Sequence, residues 1–108
     1  MTINDEREKS EERKFAMDEQ SQFNARMRRD RFIGHWAAEK LGLFGAEATA
    51  YAKSMVNLDL EQHTDAAILA RIKSDLAAKN VAVSDADISA MMEQKMAEAV
   101  AQLKAGQK

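Results

Sequence analysis

The sequence predicts an all-α protein, a four-helix bundle with a flexible, partly helical N-terminal extension. The 108 residues include no proline and only four glycines. Residues that favour helices, such as alanine, glutamate, lysine, methionine and leucine, are abundant, whereas β-branched residues are few. Apolar residues recur three and four positions apart in four successive stretches, which is the spacing of helices that each bury one face. A chain of this length fits one domain.

The first helix is predicted at about 21–42. Its apolar residues follow the i, i+1, i+4, i+5 spacing of a buried helical face. They are Phe32, Ile33, Trp36 and Ala37. Gly42 is the candidate for the end of this helix, because glycine readily adopts the left-handed backbone conformation that ends many helices.

The second and third helices are predicted at about 46–61 and 65–80. Each has an apolar stripe at helical spacing. The stripes consist of Ala48, Tyr51, Ala52, Met55, Val56 and Leu58 in the second helix, and of Ile68, Leu69, Ile72 and Leu76 in the third. A short turn at 62–63 should separate the two helices. Thr64 is a plausible N-cap for the third, because a threonine hydroxyl can accept a hydrogen bond from a free backbone N–H.

The fourth helix is predicted at about 85–104, after a linker at 81–83. Ser84 and Asp87 have the spacing of a capping box, with aspartate in place of the usual glutamate or glutamine. The apolar stripe consists of Ile88, Met91, Met92, Met96, Ala99, Val100 and Leu103. Methionines at helical spacing can form an adaptable partner groove, but a bundle core is their more common place. We therefore assign the three methionines to the core.

The N-terminal segment, residues 1–20, is predicted to be a tail that is disordered or a nascent helix, and 21–108 to form the bundle. The first nineteen residues hold eleven charged and five apolar side chains, too little apolar surface to fold alone. Yet no proline or glycine interrupts the tail. Opposite charges such as Asp5 and Lys9 stand four apart, where each such pair stabilises a helix by about 0.2–0.5 kcal/mol.

The charge balance argues against nucleic acid and anionic membranes as partners. Sixteen Lys and Arg stand against eighteen Asp and Glu, for a net charge of −2, so no overall field gathers polyanions. No run approaches the roughly 18 apolar residues of a membrane-spanning helix, and the N-terminus lacks the apolar centre of a secretory signal. The absence of cysteine excludes disulfides and fits a reducing compartment. We therefore expect a cytoplasmic protein without membrane insertion.

The stretch ARMRRDRFIGHW at 25–36 contains four arginines within six positions. These are Arg26, Arg28, Arg29 and Arg31. On a helix they fall at about 0, 200, 300 and 140°, so they surround the axis. A DNA-reading helix concentrates its contacts on one side, and Asp30 would repel phosphate. The pattern favours a charged, solvated stretch between tail and bundle, with an acidic protein partner as the alternative.

No metal site, cofactor site or catalytic residue is predicted. The two histidines, His35 and His63, are far apart and lack the i, i+4 partner of a helical metal site. Asp59, Glu61 and Asp65 lie near His63 in the sequence, but their spacing lacks the glycine turn of a calcium loop, and helix capping explains them better. No nucleophile motif and no phosphate-binding loop occurs. An enzyme is therefore not expected.

The tail has an apolar side whose interpretation is open. Phe15, Phe23 and Met27 fall at about 0, 80 and 120° around a helix. One interpretation is a frayed, solvated helix in which Phe23 and Met27 touch the bundle. The other is an amphipathic helix that becomes ordered in the groove of a partner.

Four motifs are distributed along most of the chain. They are DERE at 5–8, KFAMD at 14–18, FNA at 23–25 and RRDRFIGHWAAEKLGL at 28–43. The last combines Arg-Arg, an apolar residue, glycine, Trp-Ala-Ala and Gly-Leu, and is the most specific. By these motifs the chain resembles the zeta subunit family, the small inhibitor proteins of the alphaproteobacterial ATP synthase. The resemblance implies that the arginine stretch joins an inhibitory tail to a four-helix bundle.

The resemblance also implies a mechanism. The N-terminal segment would enter the interface between the alpha and beta subunits beside the gamma shaft, become helical and block rotation driven by ATP hydrolysis, as the mitochondrial inhibitor protein does. The implied contacts of the tail are Asp5, Arg7, Glu8, Glu12, Lys14, Phe15, Ala16, Asp18 and Phe23. The implied junction residues are Arg28, Arg29, Gly34 and Trp36. We expect a monomer when free, which associates with the cytoplasmic face of the membrane-bound enzyme.

Some positions depart from the family pattern. Asn4, with Ile3 beside it, stands where a phenylalanine is usual, and Asp30 stands where an asparagine is usual after Arg-Arg. His63 and Thr64 replace an acidic or glycine turn before the third helix. The first departure concerns the tail, the second the junction and the third the bundle.

Two other functional classes compete with the inhibitor hypothesis. One is a generic helical adaptor or a small-ligand-binding bundle without inhibitory activity, whose tail only keeps it soluble. The other is a membrane-surface module, but acidic and basic residues are equal in number over 1–31, so anionic lipid gains little. Deleting the tail separates the classes, because a bundle-centred binder keeps its ligand without it.

Overall fold

Four helices follow one another in the computed structural model, which describes residues 17–106. They are α1 (Glu19–Lys40), α2 (Ala46–Gln62), α3 (Asp65–Ala78) and α4 (Asp85–Lys104). Within this part of the chain there is no strand. Each helix packs against its neighbours in the chain, and α1 also packs against α4, which closes the ring. The all-α four-helix class predicted from the sequence is confirmed.

The N-termini of α3 and α4 are capped where the sequence predicts. Thr64 Oγ1 accepts a hydrogen bond of 3.2 Å from the Ala67 N–H. Ser84 Oγ accepts one of 3.0 Å from the Asp87 N–H. Each hydroxyl satisfies one of the backbone donors that the first turn of a helix leaves free. Both predicted N-caps are therefore confirmed.

A left-handed residue ends α1, and α3 ends in the same way. Gly42 has φ of 79°. Its N–H donates to the Glu39 carbonyl at 3.1 Å, and the Leu43 N–H donates to the Ala38 carbonyl at 2.9 Å. This pair of bonds is a Schellman motif. Asn80, with φ of 60°, takes the same role after α3. Both helices end two residues earlier than predicted, because the predicted ranges included the left-handed residue.

The core lies between the four helices and takes residues from each. The buried apolar cluster consists of Ile33, Ala37, Met55, Ile68, Ile72, Leu76, Ile88 and Met92. Partly buried side chains pack against it, among them Trp36, Tyr51 and Met91. Successive members of the cluster stand four apart within α1, α3 and α4, and α2 contributes Met55, so the predicted stripes face the interior. The assignment of Met91 and Met92 to the core is confirmed, whereas that of Met96 is wrong, because Met96 is half-buried and lines an open groove beside α1.

The backbones of α1 and α2 lie close together at Gly34. A Cβ atom built on Gly34 would lie 2.6 Å from Ala52 Cα and 3.2 Å from Met55 Cγ. The nearest atom is backbone, so it cannot move aside as a flexible side chain can. Gly34 therefore allows the contact between these two helices.

We expect Gly34→Ala to destabilise the bundle by a net amount of about 1–2 kcal/mol, because the clash is with backbone. Overpacking a close contact costs about 1–3 kcal/mol, whereas replacing a helical glycine by alanine gains about 0.5–1 kcal/mol. Urea unfolding followed by circular dichroism measures the difference. A variant as stable as the wild type, or more stable, contradicts the close contact.

Candidate functional site

The first helix begins at a defined point, with Asp18 as its N-cap. Asp18 Oδ1 accepts a hydrogen bond of 2.8 Å from the Ser21 N–H, and this N–H lowers the pKa of the carboxyl. Gln22 Nε2 donates to the Met17 carbonyl at 2.8 Å. Helix α1 therefore begins at Glu19, two residues before the predicted start. The predicted contact of Asp18 with a partner stays a prediction.

An open groove of about 500 Å³ lies beside the first turns of α1, between α1 and α4. Its apolar lining includes Met17, Phe23, Met96 and Val100. Phe23 is 47% exposed, so about half of its side chain is covered by the protein. Of the predicted tail contacts, Phe23 is the apolar side chain that the described residues place at the surface.

Arg28 points toward α4. Its side chain is only 6% exposed, and Nη1 donates to Gln102 Oε1 at 2.9 Å. Helix α1 packs against α2 on one side and α4 on another. Arginines that surround the helix axis therefore still find partners within the bundle.

Arg26 binds α2 through two parallel hydrogen bonds. Its Nε donates to Asp59 Oδ2 and its Nη2 donates to Asp59 Oδ1, both at 2.7 Å. Asp59 is 1% exposed. Nη2 also lies 3.7 Å from Asp65 Oδ1 at the start of α3. A two-point contact of guanidinium with carboxylate is both strong and directional, so it fixes α1 against α2.

Arg29 lies deeper and joins three helices. Its Nε donates to Asp30 Oδ1 at 2.8 Å, and its Nη2 donates to Asp65 Oδ1 at 2.9 Å. Nη2 is also 3.7 Å from Asp59 Oδ2. Arg29 and Asp30 are 3% and 0% exposed. Arg26, Arg29, Asp30, Asp59 and Asp65 thus form one cluster, which we call the polar junction.

The expectation of a solvated arginine stretch is wrong for Arg28 and Arg29. Both are buried. The helical-wheel argument assumed one buried face, but α1 is covered by α2, α3 and α4. Of the four arginines in the stretch, Arg31 is the one that is exposed.

Sequence reasoning also missed the carboxylates that receive these arginines. Asp59 continues the apolar stripe of α2, because it stands four residues after Met55. Asp30 stands three residues before Ile33 on the buried side of α1. A charged residue that continues an apolar stripe is a signal for a buried ion pair, because burial of a charge requires a partner. The spacing alone does not reveal which arginine pairs with which carboxylate.

The pKa values of the two buried carboxyls of the polar junction are shifted in opposite directions. Burial, followed by hydrogen bonding to Asp59, raises the pKa of Asp30 to about 8, and the charge of Arg29 opposes this. The pKa of Asp59 is lowered. Burial alone would raise it, but the hydrogen bonds from Arg26 and Asp30 outweigh the effect of burial. The polar junction therefore favours the protonated form of Asp30 and the ionised form of Asp59.

The remaining predicted junction residues lie further along α1. Gly34 faces Ala52 of α2. Trp36 packs partly against the core, and Lys40 Nζ lies 5.2 Å from the centre of its ring, within range for a cation–π contact. The four predicted junction residues therefore make separate contacts along one helix.

The other predicted tail contacts lie outside the described residues. They are Asp5, Arg7, Glu8, Glu12, Lys14, Phe15 and Ala16. Their roles stay predictions that rest on the resemblance.

The acidic residues around His63 do not form a metal site. Within residues 17–106, no group of three or more His, Cys, Asp or Glu side chains could hold a metal ion. Asp59 is bound by Arg26, and His63 has a left-handed backbone at the end of α2. His35 is exposed on α1. None of the helices described is both long and apolar enough to cross a bilayer.

A family model described as ATPase inhibitor subunit zeta matches residues 1–102. The chain belongs to this family. No curated protein and no solved structure matches the chain. Members of the zeta family are inhibitor subunits, so this chain is a regulatory protein that binds ATP synthase, and not an enzyme. The match favours the inhibitor over a generic adaptor or a small-ligand-binding bundle.

Replacing Arg26 by alanine should destabilise the bundle by about 2–3 kcal/mol, because it leaves the buried Asp59 carboxylate without its main partner. The loss should stay below the full cost of breaking a buried pair, since Arg26 is about one-third exposed and Arg29 remains 3.7 Å from Asp59. The measurement is the free energy of unfolding in urea.

Arg31→Ala is the matched control, because the same side chain is removed from an exposed position of the same helix. Its effect should stay within about 0.5 kcal/mol. Equal losses in the two variants would show that helix propensity, and not the polar junction, determines the result.

Proposed function

We propose that residues 1–20 are the inhibitory segment of this zeta subunit. The segment inserts at the interface of the alpha, beta and gamma subunits of ATP synthase, folds into a helix there and blocks rotation driven by ATP hydrolysis. The observation that carries the proposal is the family match, which begins at residue 1 and so includes the charged tail. The bundle from residue 21 onwards then anchors or delivers the tail.

The geometry of the junction supports this division of roles. Asp18 has extended backbone and caps α1, so the chain enters the bundle at a point that the cap defines. Arg26 and Arg29, two to three turns further on, hold α1 against α2 and α3. A rigid first helix gives the tail a fixed origin, and this reduces the ordering cost of binding.

The chemistry of the tail fits insertion between subunits. Its acidic and basic side chains can pair with a polar interface and set its register there. Phe15 and Ala16 are the apolar anchors, because a phenylalanine in a closed pocket often carries a large share of binding energy. A tail that becomes helical only when bound explains how so charged a segment can act as a specific ligand. The proposed place of action is the cytoplasmic face of the membrane-bound enzyme, and the free protein is a monomer.

Removing residues 1–16 should abolish inhibition while the bundle stays folded. This deletion keeps Met17 and Asp18, whose hydrogen bonds begin α1. The measurement is ATP hydrolysis by the purified catalytic head of the cognate enzyme, with full-length or shortened protein added. Thermal unfolding by circular dichroism checks the fold. A shortened protein that inhibits as well as the full chain contradicts the proposal.

Phe15→Ala should raise the concentration needed for half-inhibition by about tenfold or more, equivalent to about 1.4 kcal/mol, if Phe15 is an anchor. Phe44→Ala is the matched control. Phe44 is 80% exposed in the connection between α1 and α2, and its loss should leave inhibition unchanged. The same loss of inhibition from both substitutions would place the contact elsewhere than in the tail.

A further inference from the structure

The polar junction contains one more carboxyl than guanidinium groups. Arg26 and Arg29 of α1 meet Asp30 of the same helix, Asp59 of α2 and Asp65 of α3. Asp30 and Asp59 are almost completely buried, at 0% and 1% exposure. Two arginine charges can neutralise two carboxylates. The third carboxyl, Asp65, keeps its charge in water because its side chain is 63% exposed, so the question of a retained proton concerns the two buried carboxyls, for which an unpaired charge is costly.

Of the two buried carboxyls, Asp30 is the one whose hydrogen bonds leave room for a proton. Both oxygens of Asp59 accept from Arg26. Asp30 accepts from Arg29 through Oδ1 only, and its buried Oδ2 receives no hydrogen bond. A proton on Oδ2 turns this unpaired acceptor into a donor toward Asp59. A proton on this oxygen would satisfy it and would link α1 to α2.

Charged groups from each neighbouring helix define the surroundings of Asp30. On α1 these are the two arginines of the polar junction, and on α2 and α3 they are Asp59 and Asp65. Helix α4 contributes Glu93, an exposed carboxylate that lines a groove together with Arg29 and Asp65. Asp65 and Glu93 are both exposed to solvent, so the groups that act most strongly on the pKa of Asp30 are Asp59 and Arg29.

We propose that Asp30 and Asp59 form a pH-sensitive latch. A proton shared between the two carboxyls holds the first half of α1 against α2, and loss of this proton in alkaline solution loosens the contact. The latch goes beyond the proposed inhibition, because it concerns how the bundle holds its first helix and does not require an active tail.

The direction of the pH effect follows from where the proton is retained. In the unfolded chain Asp30 releases its proton near the ordinary value of 3.8, whereas in the folded protein its pKa is about 8. Between these values the unfolded state binds fewer protons, so stability falls as pH rises. The stability from this proton is fully present below pH 3.8 and is lost by the time the pH exceeds the folded pKa of about 8.

Asp30→Asn keeps the shape of the side chain but replaces the ionisable carboxyl by an amide that does not titrate. The amide oxygen can still accept from Arg29, and the amide nitrogen can donate to Asp59 at every pH. Urea unfolding of the full chain is measured from about pH 5 to about pH 9 for both proteins. The unfolding constant of the wild type should rise relative to that of the variant by about tenfold per pH unit up to about pH 7, and level off above about pH 8.

Asp75→Asn is the control, because Asp75 is a half-buried carboxylate that accepts from Tyr51 and Arg71, outside the polar junction. This variant should keep the wild-type pH dependence. The latch is overturned if the unfolding constants of the wild type and of Asp30→Asn depend on pH in the same way. It is also overturned if Asp75→Asn loses the pH dependence of the wild type as Asp30→Asn does.

Two measurements keep the proposal testable if Asp30→Asn folds poorly. Carbon-13 NMR of the wild type follows the carboxyl of Asp30 directly, and a midpoint near 4 instead of near 8 overturns the proposal. The second measurement is the rate of amide hydrogen exchange at neutral pH and at about pH 9, each corrected for the intrinsic rate. The corrected rate should increase with pH more in residues 26–33 than in α4. A uniform increase over all helices overturns a local latch. None of these results depends on ATPase inhibition, so failure of the latch leaves the proposed function untouched.

Discussion

The buried contact between Arg26 and Asp59 is the constraint on which the arrangement of the first helix depends. Asp59 is almost completely buried, and both of its oxygens are occupied by Arg26. Helix α1 cannot move away from α2 without leaving this charge unpaired, which is expensive. Arg29 extends the same constraint to Asp65 at the start of α3. One cluster near the beginning of α1 therefore sets the position of the helix from which the tail emerges.

Two contacts define the register of α1 on α2. Arg26 meets Asp59, and Gly34 meets Ala52. The two contact residues are eight positions apart in α1, about 12 Å, and seven apart in α2, about 10.5 Å, at 1.5 Å per residue. The earlier contact residue of α1 meets the later one of α2, so the two helices run in opposite directions. The two contacts are therefore compatible with a single antiparallel alignment. The apolar core supplies most of the favourable burial, while the ionic contact, which adds little net stability, selects this alignment.

Local signals made most of the fold predictable, whereas the polar junction depended on tertiary packing. Gly42, Thr64 and Ser84 end or begin helices through bonds to nearby backbone, so their sequence positions were sufficient. Arg28 and Arg29 were expected in solvent because a wheel of one helix does not contain its neighbours. Their burial arises from partners 36 and 74 positions away. The family motifs predict a tail and its role, whereas the shifted pKa values of the polar junction could be inferred only from the three-dimensional contacts.

The most direct test of the account is an electron cryo-microscopy structure of the cognate ATP synthase head inhibited by the full-length chain. We expect a helix formed by the tail at an interface of alpha, beta and gamma subunits, with Arg26 still bound to Asp59 in an intact bundle. A complex in which the bundle blocks the head while the tail points into solvent would contradict it. So would a complex in which α1 has separated from α2.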